Sequence, residues 1–274
     1  MFSFADLREG KGALIMGILN VTPDSFSDGG EAFSLGSVIE KVNELIKDGA
    51  DIIDVGACST APDNTIVSEE EEIRRLEWFL PAVIEHSSVP VSIDTFRSGV
   101  ARFALEKGAS IINDESGAFS EDMAEAVKEY GAGWIFMHTG GVDSKSHVDY
   151  KGDVTRAVMN FFSDMKRRAL DFGISESQLC YDCGIGFGKT RDDDMSLLAD
   201  CSRLSEYSPL LIGISRKRII GHITGIENPK DRDFASAVAA AITVSDGAGI
   251  VRVHNVAVTK QALSIVSKFE KGVL

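Results

Sequence analysis

Near the amino terminus, an apolar segment leads directly into a loop that is rich in oxygen-bearing side chains. The segment, Leu14 to Leu19, is typical of a buried strand. The loop offers amide, hydroxyl and carboxylate groups, and residues that favour turns, at Asn20, Thr22, Pro23, Asp24, Ser25, Ser27, Asp28, Gly29 and Gly30. We interpret it as a site for an anion or a metal ion. The alternative is a long connecting loop without a ligand.

Two groups of basic residues stand beside other apolar segments, Ser215-Arg216-Lys217-Arg218 and Arg252-Val253-His254. The formal net charge of −14 argues against a broad binding surface for nucleic acid or for an anionic membrane. An anionic substrate must therefore be bound locally. Arg252 and His254 share one side of a strand because Val253 separates them, so we expect an anion site there. The alternative is solvated surface charge.

Further polar residues end apolar segments, namely Asp94, Asn113 with Asp114, His138 and Asp182. Carboxylates and amides that are buried without partners cost several kcal/mol, about 2–7 for a neutral polar group, so these residues should have partners. A carboxylate that accepts two N–H groups from an amino-heterocycle, with Asn113 beside it and a lysine nearby, is one economical arrangement. The alternative is that Asp94 or Asp114 caps a helix.

The glycine-rich segment from Gly184 to Lys189 superficially resembles a phosphate-binding loop. Its spacing fits neither the dinucleotide-binding pattern nor the nucleotide-binding pattern that ends in Lys-Ser/Thr, although Lys189-Thr190 matches the latter in part. We expect the glycines to let the backbone approach a flat ligand. Phe187 either forms a wall of that pocket or simply packs.

Eight strand candidates alternate with segments of helical periodicity. They are Leu14 to Leu19, Asp51 to Val55, Val89 to Ile93, Ser110 to Ile112, Gly133 to Met137, Leu179 to Asp182, Leu210 to Ile214 and Ile250 to Val253. Gly49, Gly108, Gly131, Gly173 and Gly272 follow helical segments, and Ser68 with Glu71 predicts a capping box. This even alternation predicts a single (β/α)8 barrel, the TIM-barrel fold, whose loops after strands seven and eight often bind phosphate. A doubly wound sheet is the structural alternative.

The length of 274 residues, 44% of them hydrophobic, fits one such domain over residues 1–274. We find no apolar run of the roughly 20 residues that a membrane span needs, and Met1 to Gly10 lacks the features of a signal peptide, so we expect a cytoplasmic protein. The cysteines, Cys58, Cys180, Cys183 and Cys201, are too few for a disulfide scaffold and are interpreted as reduced packing thiols.

With these motifs in this order, the chain resembles the dihydropteroate synthase family of the pterin-binding barrel superfamily, from about Ala13 to about Val266. The motifs are Met16 to Gly30, Ile93-Asp94-Thr95, Ile112-Asn113-Asp114, Asp182 with Gly184 to Lys189, Ser215-Arg216-Lys217 and Arg252-Val253-His254. The resemblance implies condensation of 6-hydroxymethyl-7,8-dihydropterin pyrophosphate with 4-aminobenzoate, giving 7,8-dihydropteroate and pyrophosphate in folate biosynthesis. It also implies a homodimer formed through the last helices, including Asp233 to Val244.

Carried over to this chain, the resemblance assigns the pterin ring to Asp94, Asn113, Asp182 and Lys217, with Phe187 at the pocket. It assigns the pyrophosphate to Asn20, Arg252 and His254, with Mg²⁺ helped by Asn20. Thr60, Ser215 and the loop from Val21 to Gly30 would close the site around 4-aminobenzoate. Asp94, Asp182, Lys217 and Arg252 are the expected catalytic residues. Cations would stabilise the departing pyrophosphate, and carboxylates the positive charge that develops on the pterin methylene.

The chain departs from the family mainly after the second strand. The family usually has Ser-Thr-Arg-Pro where this chain has Ser59-Thr60-Ala61-Pro62, and Ala57-Cys58 replaces a frequent Gly-Glu pair. A missing guanidinium would weaken transition-state binding unless Arg97 or another cation substitutes for it. Cys183 also stands where the family often has Pro, and Asn255 where it commonly has Asp.

Two alternative functions remain open. A diverged paralogue would bind pterin pyrophosphate but would have lost or changed its second substrate, as the Ala61 position suggests. A methyltetrahydrofolate-dependent methyltransferase on the same barrel would not need the first loop or the cations suited to pyrophosphate.

Overall fold

The apolar segments pair with one another in the order in which they occur along the chain. In this computed structural model, which describes residues 1–21, 34–57, 67–140 and 148–271, eight parallel strands close into a barrel. The strands are β1 (Leu14–Asn20), β2 (Ile52–Gly56), β3 (Val91–Asp94), β4 (Ile111–Asp114), β5 (Gly133–Met137), β6 (Leu179–Asp182), β7 (Leu210–Ile212) and β8 (Ile250–Val253). Pairing of Leu14 with Ile250 joins β1 to β8 and closes the barrel. The predicted (β/α)8 fold is confirmed.

Helices connect the strands and cover the outside of the barrel. They are α1 (Phe4–Arg8), α2 (Leu35–Asp48), α3 (Glu69–His86), α4 (Ser98–Glu106), α5 (Glu121–Tyr130), α6 (Val154–Phe172), α7 (Arg191–Ala199), α8 (Cys201–Leu204), α9 (Arg218–Thr224), α10 (Asp233–Ser245) and α11 (Val256–Lys271). Short 3₁₀ helices span Glu176–Gln178 and Pro229–Arg232. Within the described parts of the chain, no helix combines the length and apolarity that crossing a membrane requires.

The predicted strand boundaries differ from the observed ones by at most two residues. Strands β3 and β4 extend through Asp94 and Asp114, so the polar residues expected just beyond them are their last members. Strand β7 ends at Ile212, two residues earlier than predicted. The reason is a turn in which the carbonyl of Ile214 accepts a hydrogen bond from the Lys217 N–H at 3.1 Å.

Several predicted helix ends are confirmed. Gly49 ends α2 with a left-handed φ of 101°, and Gly131 and Gly173 end α5 and α6 in the same way. Ser68 caps α3 by accepting a hydrogen bond from the Glu71 N–H at 3.3 Å. The capping box itself is only half formed, because the Glu71 carboxylate pairs instead with two arginines of the same helix, Arg74 and Arg75. Gly272 lies outside the described residues.

Two apolar clusters form the core. The larger one packs the outer faces of the strands against the helices. The smaller one fills the barrel interior, with Leu14, Met16, Ile52, Ile111, Ile135, Cys180, Leu211 and Ile250. Phe4 of α1, which is fully buried, joins the interior cluster and packs beside Gly133 at the start of β5. Helix α1 therefore closes the amino-terminal end of the barrel, which leaves polar side chains to the opposite, carboxyl end of the strands.

Candidate active site at the carboxyl end of the barrel

Arg252 lies at the centre of a buried charge cluster. Its Nε donates to Asp54 Oδ2 at 2.6 Å, and its guanidinium also donates to Asp94 Oδ2 at 2.5 Å. Asn113 donates to the same Asp54 oxygen at 3.2 Å. Residues two apart on a strand point to the same face, so Arg252 and Ile250 both point into the barrel. Among the described residues, Nη1 of Arg252 has no hydrogen-bond acceptor, and one edge of the guanidinium is available to a ligand.

Carboxylates outnumber cations in this cluster. Burial raises the pKa of Asp94, and the nearby carboxylates Glu115 and Asp54 raise it further, whereas Arg252 opposes the shift. The guanidinium of Arg252 stays charged, and its pKa is raised because Asp54, Asp94 and Glu115 outweigh the effect of burial. Asp54 is fully buried, and its second oxygen has no hydrogen-bond partner among the described residues. The cluster is thus rich in acceptors for N–H groups.

Asp182 and Lys217 converge beside Gly213. A Cβ atom added to Gly213 would lie 3.7 Å from Asp182 Oδ2 and 3.8 Å from Lys217 Nζ. The other carboxylate oxygen, Oδ1, accepts the Gly184 N–H at 2.7 Å. Burial raises the pKa of Asp182, and Lys217 opposes that shift. One carboxylate oxygen is thereby fixed by the backbone, while Oδ2 lies beside Gly213, as the Lys217 ammonium does.

The loop after β6 holds Lys217 from two sides. Its ammonium donates to the Ile185 carbonyl at 2.5 Å and lies 4.7 Å from the centre of the Phe187 ring. Burial lowers the pKa of Lys217, and Asp182 opposes this effect. Phe187 therefore packs against Lys217, one of the residues that the resemblance assigns to the pterin ring.

The glycines of that loop allow backbone to approach backbone. A Cβ atom on Gly184 would lie 1.9 Å from the His138 carbonyl oxygen, and one on Gly188 would lie 2.5 Å from Gly140 Cα. For these two glycines, the close approach that we expected toward a ligand is made instead to the chain that follows β5.

Ser215 and His254 form a pair at the exits of β7 and β8. The Ser215 hydroxyl accepts the His254 N–H at 3.2 Å and lies 3.1 Å from its ring Nδ1. Burial, together with the cations Arg216 and Arg252, lowers the pKa of His254 to about 3. The ring is consequently neutral at pH 7, and it offers a hydrogen bond rather than a positive charge to an anion.

Arg216 does not belong to the anion site. It has a left-handed φ of 60° and forms a two-pronged ion pair with Asp233, with N–O distances of 2.6 and 2.8 Å. Asn255 donates to the same carboxylate at 3.0 Å. Asn255, at the position where the resemblance expects Asp, therefore supports the start of α10.

The remaining predicted residues fall into two groups. Asn20 is the exposed last residue of β1, at the same end of the barrel as Arg252. Thr60 and the loop residues 22–30, like Ala61, lie outside the described residues.

No group of three or more His, Cys, Asp or Glu side chains suited to a metal ion occurs in the described ranges. A Mg²⁺ ion usually keeps several waters and is bound by one or two protein carboxylates together with substrate phosphates.

Asp94 and Asp114 do not cap helices, since Arg97 and Ser120 occupy those positions. Asp114 instead accepts the Ser116 N–H at 2.9 Å and the Trp134 indole N–H at 3.1 Å. His138 is buried between Tyr150 and Phe161, with ring centroids 5.8 and 5.3 Å away. Both Asp114 and His138 therefore support the framework around the site.

Comparison with known proteins agrees with this geometry. The family described as pterin binding enzyme matches residues 16–254, which is most of the chain. The chain belongs to this pterin binding enzyme family. It is 38% identical to the dihydropteroate synthase of a Synechocystis strain over 259 residues, which cover 93% of this chain and 90% of that protein.

Two solved structures of the family are also similar. The dihydropteroate synthase of Xanthomonas albilineans with 4-aminobenzoic acid has a TM-score of 0.87 and 37% identity, covering 94% of this chain and 93% of that one. The Yersinia pestis dihydropteroate synthase in a sulfonamide complex has a TM-score of 0.87 and 35% identity, covering 95% of each chain.

Two buried carboxylates of the cluster around Arg252 were not identified from the sequence. Asp54 forms hydrogen bonds with both Arg252 and Asn113, and Glu115 is a buried carboxylate (7% exposed) that acts electrostatically on Asp94, Lys217 and Arg252. Asp54 could have been found as a lone charge within the apolar strand β2, two residues after the inward-facing Ile52. Glu115 carried a similar signal, because it follows Asn113 at the same spacing.

Proposed function

We infer that the chain is a dihydropteroate synthase, a transferase that joins 6-hydroxymethyl-7,8-dihydropterin pyrophosphate to 4-aminobenzoate in folate biosynthesis. The observation that carries this conclusion is the convergence of Asp182 and Lys217 beside Gly213, at the carboxyl end of a pterin-family barrel. The 4-aminobenzoic acid bound to the Xanthomonas albilineans relative supports the choice of the second substrate.

The pterin-binding residues provide acceptors and donors for an amino-heterocycle. Asp182 and Asn113 would accept and donate hydrogen bonds along the ring edge, and Lys217 would donate to a ring oxygen or nitrogen. Asp94, which is paired with Arg252, is suited to stabilise positive charge that develops at the pterin methylene as the bond to pyrophosphate breaks.

The leaving group is assigned to the other side of the cluster. The free edge of Arg252 and the neutral ring of His254 would bind the pyrophosphate, with Asn20 at the neighbouring strand end. We propose that Mg²⁺ is held there by Asn20 and phosphate oxygens, where it would neutralise charge on the departing pyrophosphate. The amine of 4-aminobenzoate then attacks the methylene carbon, and the proton that it loses would pass to the departing pyrophosphate or to water. Positioning and stabilisation of the leaving group account for the catalysis, and no base triad is required.

Pyrophosphate release with and without 4-aminobenzoate tests this function. We expect release that depends on 4-aminobenzoate and yields dihydropteroate. Release of pyrophosphate without dihydropteroate, or binding of pterin without turnover, would favour the diverged paralogue. Binding of a methylated folate instead of the pterin pyrophosphate would favour the methyltransferase.

We also propose a homodimer through α10 and α11. Phe234, Val238 and Ile242 form an exposed stripe on α10, and Ile265 and Phe269 are exposed on α11, with 76% and 83% of the Phe234 and Phe269 surfaces accessible. Ala237 and Ala240, in contrast, are buried within this chain and let α10 pack closely on its own barrel. Light scattering tests the dimer. We expect twice the chain mass of 29.5 kDa, and Phe234→Glu should yield the monomer.

We further propose a single domain in the cytoplasm. One closed barrel runs from β1 to β8, and Cys180, Cys183 and Cys201 are buried free thiols, as is usual in a reducing compartment. A single cooperative unfolding transition and cell fractionation would test the two statements.

A further inference from the structure

Lys189 is a buried cation for which the proposed reaction has no use. Only 4% of its surface is exposed. Its Nζ donates to three backbone carbonyls, those of Gly184 at 2.9 Å, His138 at 3.1 Å and Phe187 at 3.1 Å. An ammonium has three N–H donors and no acceptor, so these three bonds satisfy it completely.

The three carbonyls belong to two different segments. His138 follows β5, whereas Gly184 and Phe187 lie in the loop between β6 and α7. The segments approach so closely that a Cβ on Gly184 would overlap the His138 oxygen. Two of these carbonyls also accept backbone hydrogen bonds, the Gly184 carbonyl from the Phe187 N–H at 3.1 Å and the Phe187 carbonyl from the Gly140 N–H at 3.5 Å. Lys189 is the donor that all three share, and an unsatisfied buried acceptor costs about 1–3 kcal/mol. Through it the loop after β6 is tied to the end of β5.

That loop carries the contacts that orient two pterin-site residues. The Gly184 N–H binds Asp182 Oδ1 at 2.7 Å, and the Ile185 carbonyl accepts Lys217 Nζ at 2.5 Å. The Phe187 ring also lies against the Lys217 ammonium. Two of the carbonyls bound by Lys189 thus belong to Gly184 and Phe187, residues that themselves contact Asp182 and Lys217.

We propose that Lys189 is a positioning residue that orients Asp182 and Lys217 toward the pterin by fastening the loop 183–189 to the end of β5. The ligand in this inference, the pterin, rests on the proposed synthase function. The contact between loop 183–189 and the end of β5 does not depend on that function. Burial lowers the pKa of Lys189 to about 8, while Cys183, Asp194 and Asp182 oppose the shift and Lys217 adds to it. His138 also faces it, with its pKa lowered in part by the lysine charge. At pH 7 the lysine is still charged and keeps all three donors.

The test compares Lys189→Met, which keeps the length of the side chain but has no donor, with Lys189→Arg, which can still donate. Lys128→Met is the matched control, because Lys128 donates to a single carbonyl, that of Phe172 at 2.9 Å, on the outside of the barrel. Steady-state kinetics would give KM for each substrate, and hydrogen exchange would report on residues 183–189. Calorimetry with 6-hydroxymethylpterin would give the pterin affinity independently of turnover.

We expect Lys189→Met to raise the KM for the pterin substrate about tenfold or more, with less than about a threefold change for 4-aminobenzoate. Exchange in residues 183–189 should accelerate, and Lys189→Arg should restore much of the pterin KM. Lys128→Met should leave all of these values unchanged. An unchanged pterin KM, or equal increases in both KM values, would overturn the proposal even if the variant were less stable.

If Lys189→Met does not fold, hydrogen exchange of the wild-type protein tests whether Lys189 holds the loop 183–189 in place. Loss of the proton above pH 8 leaves the amine with two donors, so exchange in residues 183–189, corrected for its intrinsic pH dependence, should rise between pH 7 and 9. No rise would contradict the proposal. A wild-type protein with neither turnover nor pterin affinity would refute the synthase function, and the exchange data would still decide whether Lys189 fastens the loop.

Discussion

Arg252 and Asp54 form an ion pair of 2.6 Å inside the barrel, although they are 198 positions apart in sequence. Strand β1 lies between their two strands and pairs with both, which brings β2 and β8 to nearby positions around the barrel. Because Asp94 holds the other end of the guanidinium, Arg252 is fixed by two carboxylates before any ligand binds. The orientation of its free edge is therefore a property of the fold.

Removing the Asp54 charge should affect activity more than stability. We expect Asp54→Asn to lower kcat/KM at least about tenfold, because the guanidinium loses one of its two anchors. The free energy of unfolding should fall by only about 1–3 kcal/mol, since Asp94 still balances the buried charge. Steady-state kinetics and urea denaturation measure the two effects. As a control, Asp164→Asn breaks an exposed ion pair with Arg167 and should change stability by less than about 1 kcal/mol. Equal activity of Asp54→Asn and the wild type would show that Arg252 needs no second anchor.

Asp182 should be required for pterin binding but not for folding. The change Asp182→Asn replaces one carboxylate oxygen with a donor, so we expect the affinity for 6-hydroxymethylpterin to fall at least about a hundredfold in calorimetric titration. Asp194→Asn is a matched control, because Asp194 and Asp182 are equally buried, with 5% of each exposed. Each also accepts one backbone N–H at 2.7 Å, Asp194 from Gly186 and Asp182 from Gly184. The control should retain most of its affinity. Unchanged binding by Asp182→Asn would refute the assignment.

His138 should make the protein sensitive to mild acid. Burial and the Lys189 charge lower the pKa of His138 from 6.5 to about 3. Below pH 6.5 the unfolded chain therefore takes up a proton at this residue while the folded protein does not, so stability falls as the pH falls. The expected loss is about 2 kcal/mol between pH 6.5 and 5. Urea denaturation of the wild type and of His138→Phe, which keeps the ring contacts, isolates this contribution.

The free energy of unfolding of the wild type minus that of His138→Phe should fall by the same amount on acidification. Asp114, whose pKa is raised to about 6, contributes with the opposite sign, but it is present in both proteins and cancels. A pH-independent difference for His138→Phe would mean that the folded protein and the unfolded chain protonate His138 over the same pH range.

Ala61 offers a test of the departure from the family. Arg97 does not replace the missing guanidinium freely, because it pairs with the buried Glu72 and donates to the Val67 carbonyl at 2.5 Å. We expect Ala61→Arg to raise kcat/KM about ten- to a hundredfold, which is the scale of one charge-assisted contact. The same change should strengthen sulfonamide binding. Ala61→Gln, similar in length but uncharged, should gain little. A wild type that already turns over at an ordinary rate, with no gain in Ala61→Arg, would show that this position is dispensable.

The fold was predictable from the sequence because it depends on local patterns. Alternating strands and helices, and cap residues such as Gly49 and Ser68, are encoded within a few positions. The position of Arg252 at a strand end was predictable for the same reason. Its pairing with Asp54 was not, because the contact depends on barrel closure. Likewise, the partial phosphate-loop pattern around Lys189 gave no hint of its three carbonyl partners, since one of them, His138, lies 51 positions away.

Helix α1, at the amino-terminal end of the barrel, affects how ligands can enter and leave the site. In the part of the chain that the structure describes, Phe4 and the interior cluster above it close that end, so a ligand does not enter the barrel there. Both substrates and both products of the proposed reaction must pass through the one face where the strands end. Dihydropteroate contains the pterin ring, so in the proposed reaction it would occupy the pterin site until it leaves. The next pterin substrate would therefore bind only after the product has left this face.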